Sequence, residues 1–246
     1  MVENTLTVIL AGGVGSRLSP LTKDRTKPSV PFGGKYRIID FSLNNCLHSG
    51  LRRVLVLTQY RSHSLHKHIR DGWHIFNPEL KEYITCVPPQ MRTEDNVYVG
   101  TADAIYQNMY LLERSGAKRV IVLSGDHIYR MDYAPLLAEH IEHQADMTVA
   151  CMNVPITDAQ QFGLVNLDKQ QRIVAFQEKP NTPIPLADEP ESALASMGIY
   201  VFSIDVLKEA LIADHQDENS GHDFGKDIIP RLIDTHRVIA YRFGGS

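Results

Sequence analysis

Apolar and polar residues alternate along this chain in short blocks of two kinds. Four β-rich runs, Leu6 to Leu10, Arg53 to Thr58, Val120 to Ser124 and Met147 to Val154, are accompanied by segments of helical spacing at Ser62 to Arg70, Thr101 to Arg114 and Tyr133 to His143. Strands that alternate with helices predict βαβ units on a mostly parallel sheet. A second layer is predicted from Leu164 onward, with strands at Leu164 to Leu167, Arg172 to Glu178 and Met197 to Phe202. The proline-rich, acidic stretch Pro180 to Pro190 reads as a surface loop. Ligands of open α/β sheets bind beyond the carboxyl ends of the strands, so the loops at 11 to 28 and 124 to 130 are the first places to look for chemistry.

Composition narrows the class. With 246 residues, 43% of them hydrophobic, the chain is long enough for one α/β domain, and residues 1 to 246 are expected to form one. No apolar run approaches the ~20 residues of a membrane span. The start, MVENTLTVIL, has no basic n-region and no cleavage-like site, so export is not expected. Three cysteines without C-x-x-C spacing read as reduced packing residues of a cytoplasmic protein. Charge is uneven: residues 17 to 37 hold Arg17, Lys23, Arg25, Lys27, Lys35 and Arg37 against Asp24 alone, a net +5 within a chain of −4 that leaves −9 elsewhere. A footprint so local suits a small polyanion, whereas nucleic acid favours a broad basic surface.

The run ILAGGVGSRLSPLTKDRTKP (Ile9 to Pro28) sets a glycine turn after a strand and a cluster of fixed cations after the turn. Gly12, Gly13 and Gly15 let backbone come close to a ligand, and exposed N–H groups can point at phosphate oxygens. Arg17 and Lys27 then offer a guanidinium fork and a compact ammonium. The dinucleotide motif G-x-G-x-x-G fails because Leu18 stands at the third glycine, and a Walker A loop is absent. A solvated strand-to-loop turn explains the same residues equally well. Asp126 in SGDHIY follows the apolar run VIVL, which puts a hard oxygen ligand at a strand end, where it could reach Mg²⁺ or simply close a turn. In FQEKP, Glu178 could accept sugar hydroxyls and Lys179 could meet a phosphate, though an adjacent Glu-Lys pair is commonly solvated surface.

These motifs are more specific as a set. AGGxGxRLxPLTxxxxKP (Ala11 to Pro28) is similar to the signature of the sugar-1-phosphate nucleotidyltransferases. The runs FGGKYRIIDFSLNNCLHSG (Phe32 to Gly50), GTADAIYQN (Gly100 to Asn108), LSGDHIYRMDY (Leu123 to Tyr133), FQEKP (Phe176 to Pro180), ASMGIYVF (Ala195 to Phe202) and HDFGKDIIP (His222 to Pro230) resemble the branch that joins ATP to glucose 1-phosphate. The resemblance implies an α/β fold with a Rossmann-like, mostly parallel sheet flanked by helices, of the nucleotide-diphospho-sugar transferase type, ending before the family's C-terminal β-helix. It implies nucleotide contacts from Leu10, Ala11, Gly12, Gly13, Gly15, Gln59, Gly100 and Thr101. Catalytic roles fall to Arg17, Lys27 and the Mg²⁺ ligand Asp126, and glucose 1-phosphate contacts to Tyr98, Gly163, Glu178, Lys179 and Ser196. It further implies a homotetrameric full-length parent, a second metal-binding aspartate beyond Ser246, and no nucleic-acid or membrane partner. Another base or sugar, or a non-catalytic nucleotide sensor, are the alternatives. Asp24 and Pro31 sit where some relatives bind effectors and are poor fits for a polyanion pocket, so effector identity does not carry over.

Several other residues read as structural. His63, His66 and His68 match no metal-binding spacing and are expected on a solvated helix face. Trp73 is expected to pack or to anchor an interface. Asp223 and Lys226 in HDFGKD are expected to open a helix with an acidic first turn.

Overall fold

The apolar runs emerge as strands, and their length decides how they are buried. The computed structural model describes residues 2–13, 15, 18–59, 61–89, 97–186 and 189–244. Its strands are β1 (Thr5–Leu10), β2 (Pro31–Phe32), β3 (Tyr36–Arg37), β4 (Arg53–Leu57), β5 (Tyr83–Val87), β6 (Arg119–Ser124), β7 (Met147–Pro155), β8 (Gly163–Leu167), β9 (Ile173–Glu178), β10 (Ser192–Ser203) and β11 (Val238–Arg242). Its helices are α1 (Ile39–His48), α2 (His63–Gly72), α3 (Thr101–Tyr106), α4 (Met109–Ser115), α5 (Ala134–Glu142), α6 (Ile204–His215) and α7 (Ile229–Thr235). No helix among the described residues is long and apolar enough to cross a membrane. The chain forms two compact units, one of residues 1–99 and 107–135, the other of 100–106 and 136–246.

The first unit is built on parallel strands in the order β5, β4, β1, β6. Leu6, Thr7, Val8 and Ile9 are all fully buried, so β1 is covered on both faces, as an almost unbroken apolar run requires. Strand order reverses at β1, which pairs with β4 on one side and β6 on the other. The loops leaving β1 and β6 start side by side there, at the carboxyl ends where such sheets bind ligands. Helix α1 buries Ile39, Leu43 and Cys46, one apolar stripe at helical spacing. A second buried set on α1 is polar, Ser42 and Asn45, with Ser49 just past the helix end. The Asn45 amide donates to the Tyr129 carbonyl at 3.0 Å, the Ser42 hydroxyl to the Ser124 carbonyl at 3.1 Å, and the Tyr133 N–H donates to Ser49 Oγ at 2.7 Å. α1 thereby holds the segment that follows β6.

The second unit is largely antiparallel. β7 lies between β10, antiparallel to it, and β11, parallel to it, while β8 pairs antiparallel with β9 and with β10 at Ala195. β10 carries a bulge between Ser196 and Tyr200, where Gly198 adopts φ +68°. Tyr200, Phe202 and Phe224 cluster at ring separations of 5.6–6.4 Å to form part of its core.

Most predicted strands lie within two residues of those observed, and Met197 to Phe202 proves to be the second half of the longer β10. The single helix predicted over Thr101 to Arg114 is two, α3 and α4, separated at Gln107 and Asn108. Asn108 is fully buried and its amide donates to the Tyr98 hydroxyl at 3.0 Å, an alternative to helical hydrogen bonding that asparagine readily takes. The expected solvated histidine face is only partly so. His66 Nε2 lies 2.8 Å from Thr58 Oγ1 and His68 Nε2 2.8 Å from both oxygens of buried Asp40, which also accepts from Trp73 Nε1 at 2.9 Å.

Candidate active site

In the first unit the glycine turn follows β1 directly. Leu10 ends the strand opposite Ser124 of β6, and its carbonyl accepts the Gly125 N–H at 3.0 Å. Buried Ala11 donates to the Leu57 carbonyl at 2.9 Å, so the chain keeps its sheet geometry until the glycines begin. A Cβ on Gly12 would stand 3.0 Å from Gln59 Oε1, while one on Gly13 would meet nothing within 4 Å. Gly15 has φ +65°, and a Cβ there would lie 2.7 Å from Lys27 Cβ. Glycine at 15 is therefore doubly required, by backbone angle and by the approach of Lys27. Gln59 Nε2 donates to the Tyr98 carbonyl at 3.1 Å, which ties Gln59 to Tyr98 within this unit. Arg17 lies outside the described residues.

Lys27 and Asp126 meet across this turn. The ammonium is 3.1 Å from Asp126 Oδ2, with the two side chains 28% and 29% exposed. Ser124 donates to the other oxygen, and His127 Nε2 is 3.5 Å from it. Burial pushes the Asp126 carboxyl up, but the Ser124 hydrogen bond, the His127 charge and Lys27 together outweigh it and hold the group below the usual aspartate value. The site thus keeps an ionised, partly exposed carboxylate beside a cation. That donor chemistry fits Mg²⁺, which is commonly held by one or two carboxylates with substrate phosphates and water supplying the rest. An all-protein cage does not fit, since no group of three or more His, Cys, Asp or Glu side chains poised for a metal occurs among the described residues.

The second unit gathers the other predicted residues, with one exception and two additions. Gly163 faces Glu178 in the β8–β9 register, and a Cβ on Gly163 would lie 2.6 Å from the Phe176 ring and 2.9 Å from Glu178 Oε2. Lys179, at φ +47°, sets its ammonium 3.1 Å from Glu178 Oε1. Ser196 sits at the β10 bulge, its hydroxyl accepting the Gly198 N–H at 3.2 Å. Tyr98, grouped with these by resemblance, belongs instead to the first unit beside Gln59. Gly100 and Thr101, grouped with the nucleotide residues, belong to the second unit. A Cβ on Gly100 would collide with the His222 carbonyl at 2.2 Å, and Thr101 Oγ1 donates to Asp223 Oδ2 at 3.1 Å.

Three further residues in this unit were not assigned to the site from the sequence, although Asp223 was expected to open a helix, as it does. Tyr200, whose phenol is pushed well up by burial and, more weakly, by the Asp223 and Glu178 carboxylates, bonds to Ser196. Asp223 caps the π-turn Phe224–Ile228, accepting from the N–H groups of Gly225 at 2.9 Å and Lys226 at 3.2 Å. Gly225 would place a Cβ 2.9 Å from Glu178 Oε2. The run HDFGKD signalled a helix start, but only the fold brings that start to Glu178. In the first unit Ser124 was equally missed, although its position two residues before Asp126 made the contact possible.

Comparison with known proteins agrees with this arrangement. The family described as nucleotidyl transferase matches residues 6–245. Glucose-1-phosphate adenylyltransferase 2 of Vibrio vulnificus (strain CMCP6) is 66% identical over 245 residues, covering 100% of this chain and 61% of the relative. The protein of the same name from Vibrio cholerae serotype O1 (strain ATCC 39315 / El Tor Inaba N16961) is 64% identical over 98% of this chain and 60% of its own length. Glucose-1-phosphate adenylyltransferase of Methylobacillus flagellatus (strain ATCC 51484 / DSM 6875 / VKM B-1610 / KT) is 51% identical over 100% of this chain and 58% of its own. The chain therefore spans 58–61% of the length of these relatives. A glycine turn backed by a Lys–Asp pair at the strand ends, within a match that runs almost from end to end, shows that the chain belongs to the nucleotidyl transferase family.

Proposed function

We propose that this chain carries the catalytic residues of a glucose-1-phosphate adenylyltransferase. The reaction transfers the adenylyl group of ATP to α-D-glucose 1-phosphate, giving ADP-glucose and pyrophosphate, the first committed step of bacterial glycogen synthesis. The observation that carries this reading is the Lys27–Asp126 pair beside the open glycine turn, in a chain 51–66% identical to proteins bearing that enzyme's name.

A phosphate oxygen of glucose 1-phosphate attacks the α-phosphorus of ATP in line. A new P–O bond forms as the bond to pyrophosphate breaks, and no covalent enzyme intermediate is needed. Catalysis then rests on positioning and on neutralising charge. Lys27, with Arg17, balances the nucleotide phosphates and the departing pyrophosphate. Gly13, with open space where a side chain would stand, and Gly12 and Gly15 leave the turn's backbone free to face them, with Leu10 and Ala11 leading into it. Gln59 borders the base, together with Gly100 and Thr101. Asp126 is the candidate ligand for Mg²⁺, which when bound would draw charge from the phosphates. Glu178 accepts sugar hydroxyls, Lys179 meets the attacking phosphate, and Gly163, Ser196 and Tyr98 shape the sugar's surroundings. We also propose that both compact units act as one catalytic domain over residues 1–246, within a cytoplasmic, homotetrameric parent that uses no nucleic-acid or membrane partner.

Pyrophosphate release with glucose 1-phosphate tests the reading, comparing ATP with UTP, dTTP, CTP and GTP at varied Mg²⁺. Release that needs the metal and prefers ATP is expected. Preference for another nucleotide overturns the adenylyl assignment, and silence in the full-length protein with every nucleotide overturns the enzymatic one.

A further inference from the structure

Glu178 sits in a slot that the sequence does not advertise. Its Oε1 pairs with Lys179 at 3.1 Å, whereas Oε2 accepts no hydrogen bond among the described residues although the side chain is 23% exposed. That oxygen is held by shape. Cβ positions built on Gly163 and on Gly225 each fall 2.9 Å from it, closer than real Cβ atoms come to any neighbour, so the volume they would fill is the volume the carboxylate occupies. The two glycines come from different elements, β8 and the π-turn Phe224–Ile228. The π-turn is pinned by Asp223, which accepts from the Gly225 and Lys226 N–H groups and from Thr101 Oγ1, and whose own N–H donates to Asp227 Oδ2 at 2.9 Å.

Resting on the sugar-phosphate reading above, we infer that Gly225 is a positioning residue for that substrate: the Cβ it lacks leaves the place from which Glu178 Oε2 receives a sugar hydroxyl. Gly225 has a backbone angle that any residue adopts, since its φ is not positive. An alanine there brings no backbone strain, and its closest encounter is with the end of a flexible side chain. The carboxylate yields rather than the fold. Gly163 offers no such clean change, because a Cβ there also meets the Phe176 ring at 2.6 Å.

The test is Gly225→Ala in the protein, alone and combined with Glu178→Ala. The single variant is expected to unfold at the wild-type temperature and to raise the KM for glucose 1-phosphate by ~10-fold, the scale of one hydrogen bond to a charged group, with the KM for ATP unchanged. In the Glu178→Ala background the same substitution is expected to add nothing, because the group it displaces is gone. An unaltered sugar KM, an equal rise in both backgrounds, or a Gly225→Ala protein that fails to fold each overturns the inference. If wild type turns over no glucose 1-phosphate, the sugar reading fails by itself. A crystal structure of Gly225→Ala then decides the slot, upheld by a displaced Glu178 carboxylate and overturned by one still in place.

Discussion

The two units solve the same problem, presenting polar groups on a buried sheet, in opposite ways. In the first unit the central strands β1, β4 and β6 are parallel and buried along almost their whole length, which leaves little of them free for chemistry. The polar groups stand beyond the strand ends: the glycine turn after β1 and Ser124, Gly125 and Asp126 at the end of β6. In the second unit the strands are largely antiparallel and the polar groups lie on the strands themselves, Glu178 ending β9 and Ser196 at the bulge of β10. Glycine follows the same division. At Gly15 it supplies a positive φ for a turn, and at Gly163 and Gly225 it supplies room for a carboxylate. A parallel sheet thus places a site through its connections, and an antiparallel one through its faces.

The sharpest way to break the comparison is to remove the charge from each half. Asp126→Asn keeps the shape and the Ser124 contact but loses the ionised ligand. Turnover is expected to fall by about 10²–10³, as when a single preorganised electrostatic contact is lost. Lys179→Ala is expected to act differently. Its side chain is 58% exposed and contributes little to stability, so the effect should fall on the KM for glucose 1-phosphate with the KM for ATP unchanged. Steady-state kinetics varying each substrate distinguishes the two patterns. Equal effects on both substrates from Lys179→Ala would mean that Lys179 does not serve the sugar phosphate alone.

How far this was legible in the sequence also differs between the units. The apolar runs of β1, β4 and β6 announce themselves because burial on both faces leaves them almost unbroken, Thr7 being the interruption within β1. Lys27 and Asp126 were legible as candidates because each belongs to a local motif. β5 went unpredicted: Tyr83–Val87 is an edge strand, half exposed and mixed in composition, and carries no periodic signal. α1 was hidden differently, since beside its apolar stripe it also buries the polar Ser42 and Asn45, which serve the segment after β6 and blur the contrast between an apolar and a polar face. In the second unit the Glu178 slot joins residues 163, 178 and 225, and no local pattern encodes a contact over such separations. The placement of Tyr98 with Gln59 and of Thr101 with Asp223 was missed for the same reason.

A smaller effect separates the two uses of glycine inside the first unit. Gly15→Ala must either adopt a positive φ or move Lys27, and is expected to lose about 1–3 kcal/mol in denaturant unfolding. Gly13→Ala meets nothing within 4 Å and has no positive φ, so its stability should stay within about 0.5 kcal/mol of wild type. Its expected effect is on ATP affinity, because a methyl group would occupy space that only a ligand fills. A Gly13→Ala protein that binds ATP as wild type does would remove the glycine turn from the phosphate site.

The smallest expected effect is the most specific to Asp126. Its folded-state carboxyl lies below the ordinary 3.8, so ionised Asp126 stabilises the fold at every pH above that value, and the contribution disappears as pH falls through the folded-state value. Both side chains of the Lys27–Asp126 pair are more than a quarter exposed, which limits the contribution to about 1 kcal/mol or less. The difference in unfolding free energy between wild type and Asp126→Asn should accordingly be flat from neutral pH down to about 5 and shrink only in stronger acid. Taking the difference cancels every other titrating carboxylate in the chain. A difference that instead shrank near pH 6 would mean that the fold does not hold the Asp126 carboxyl below its ordinary value.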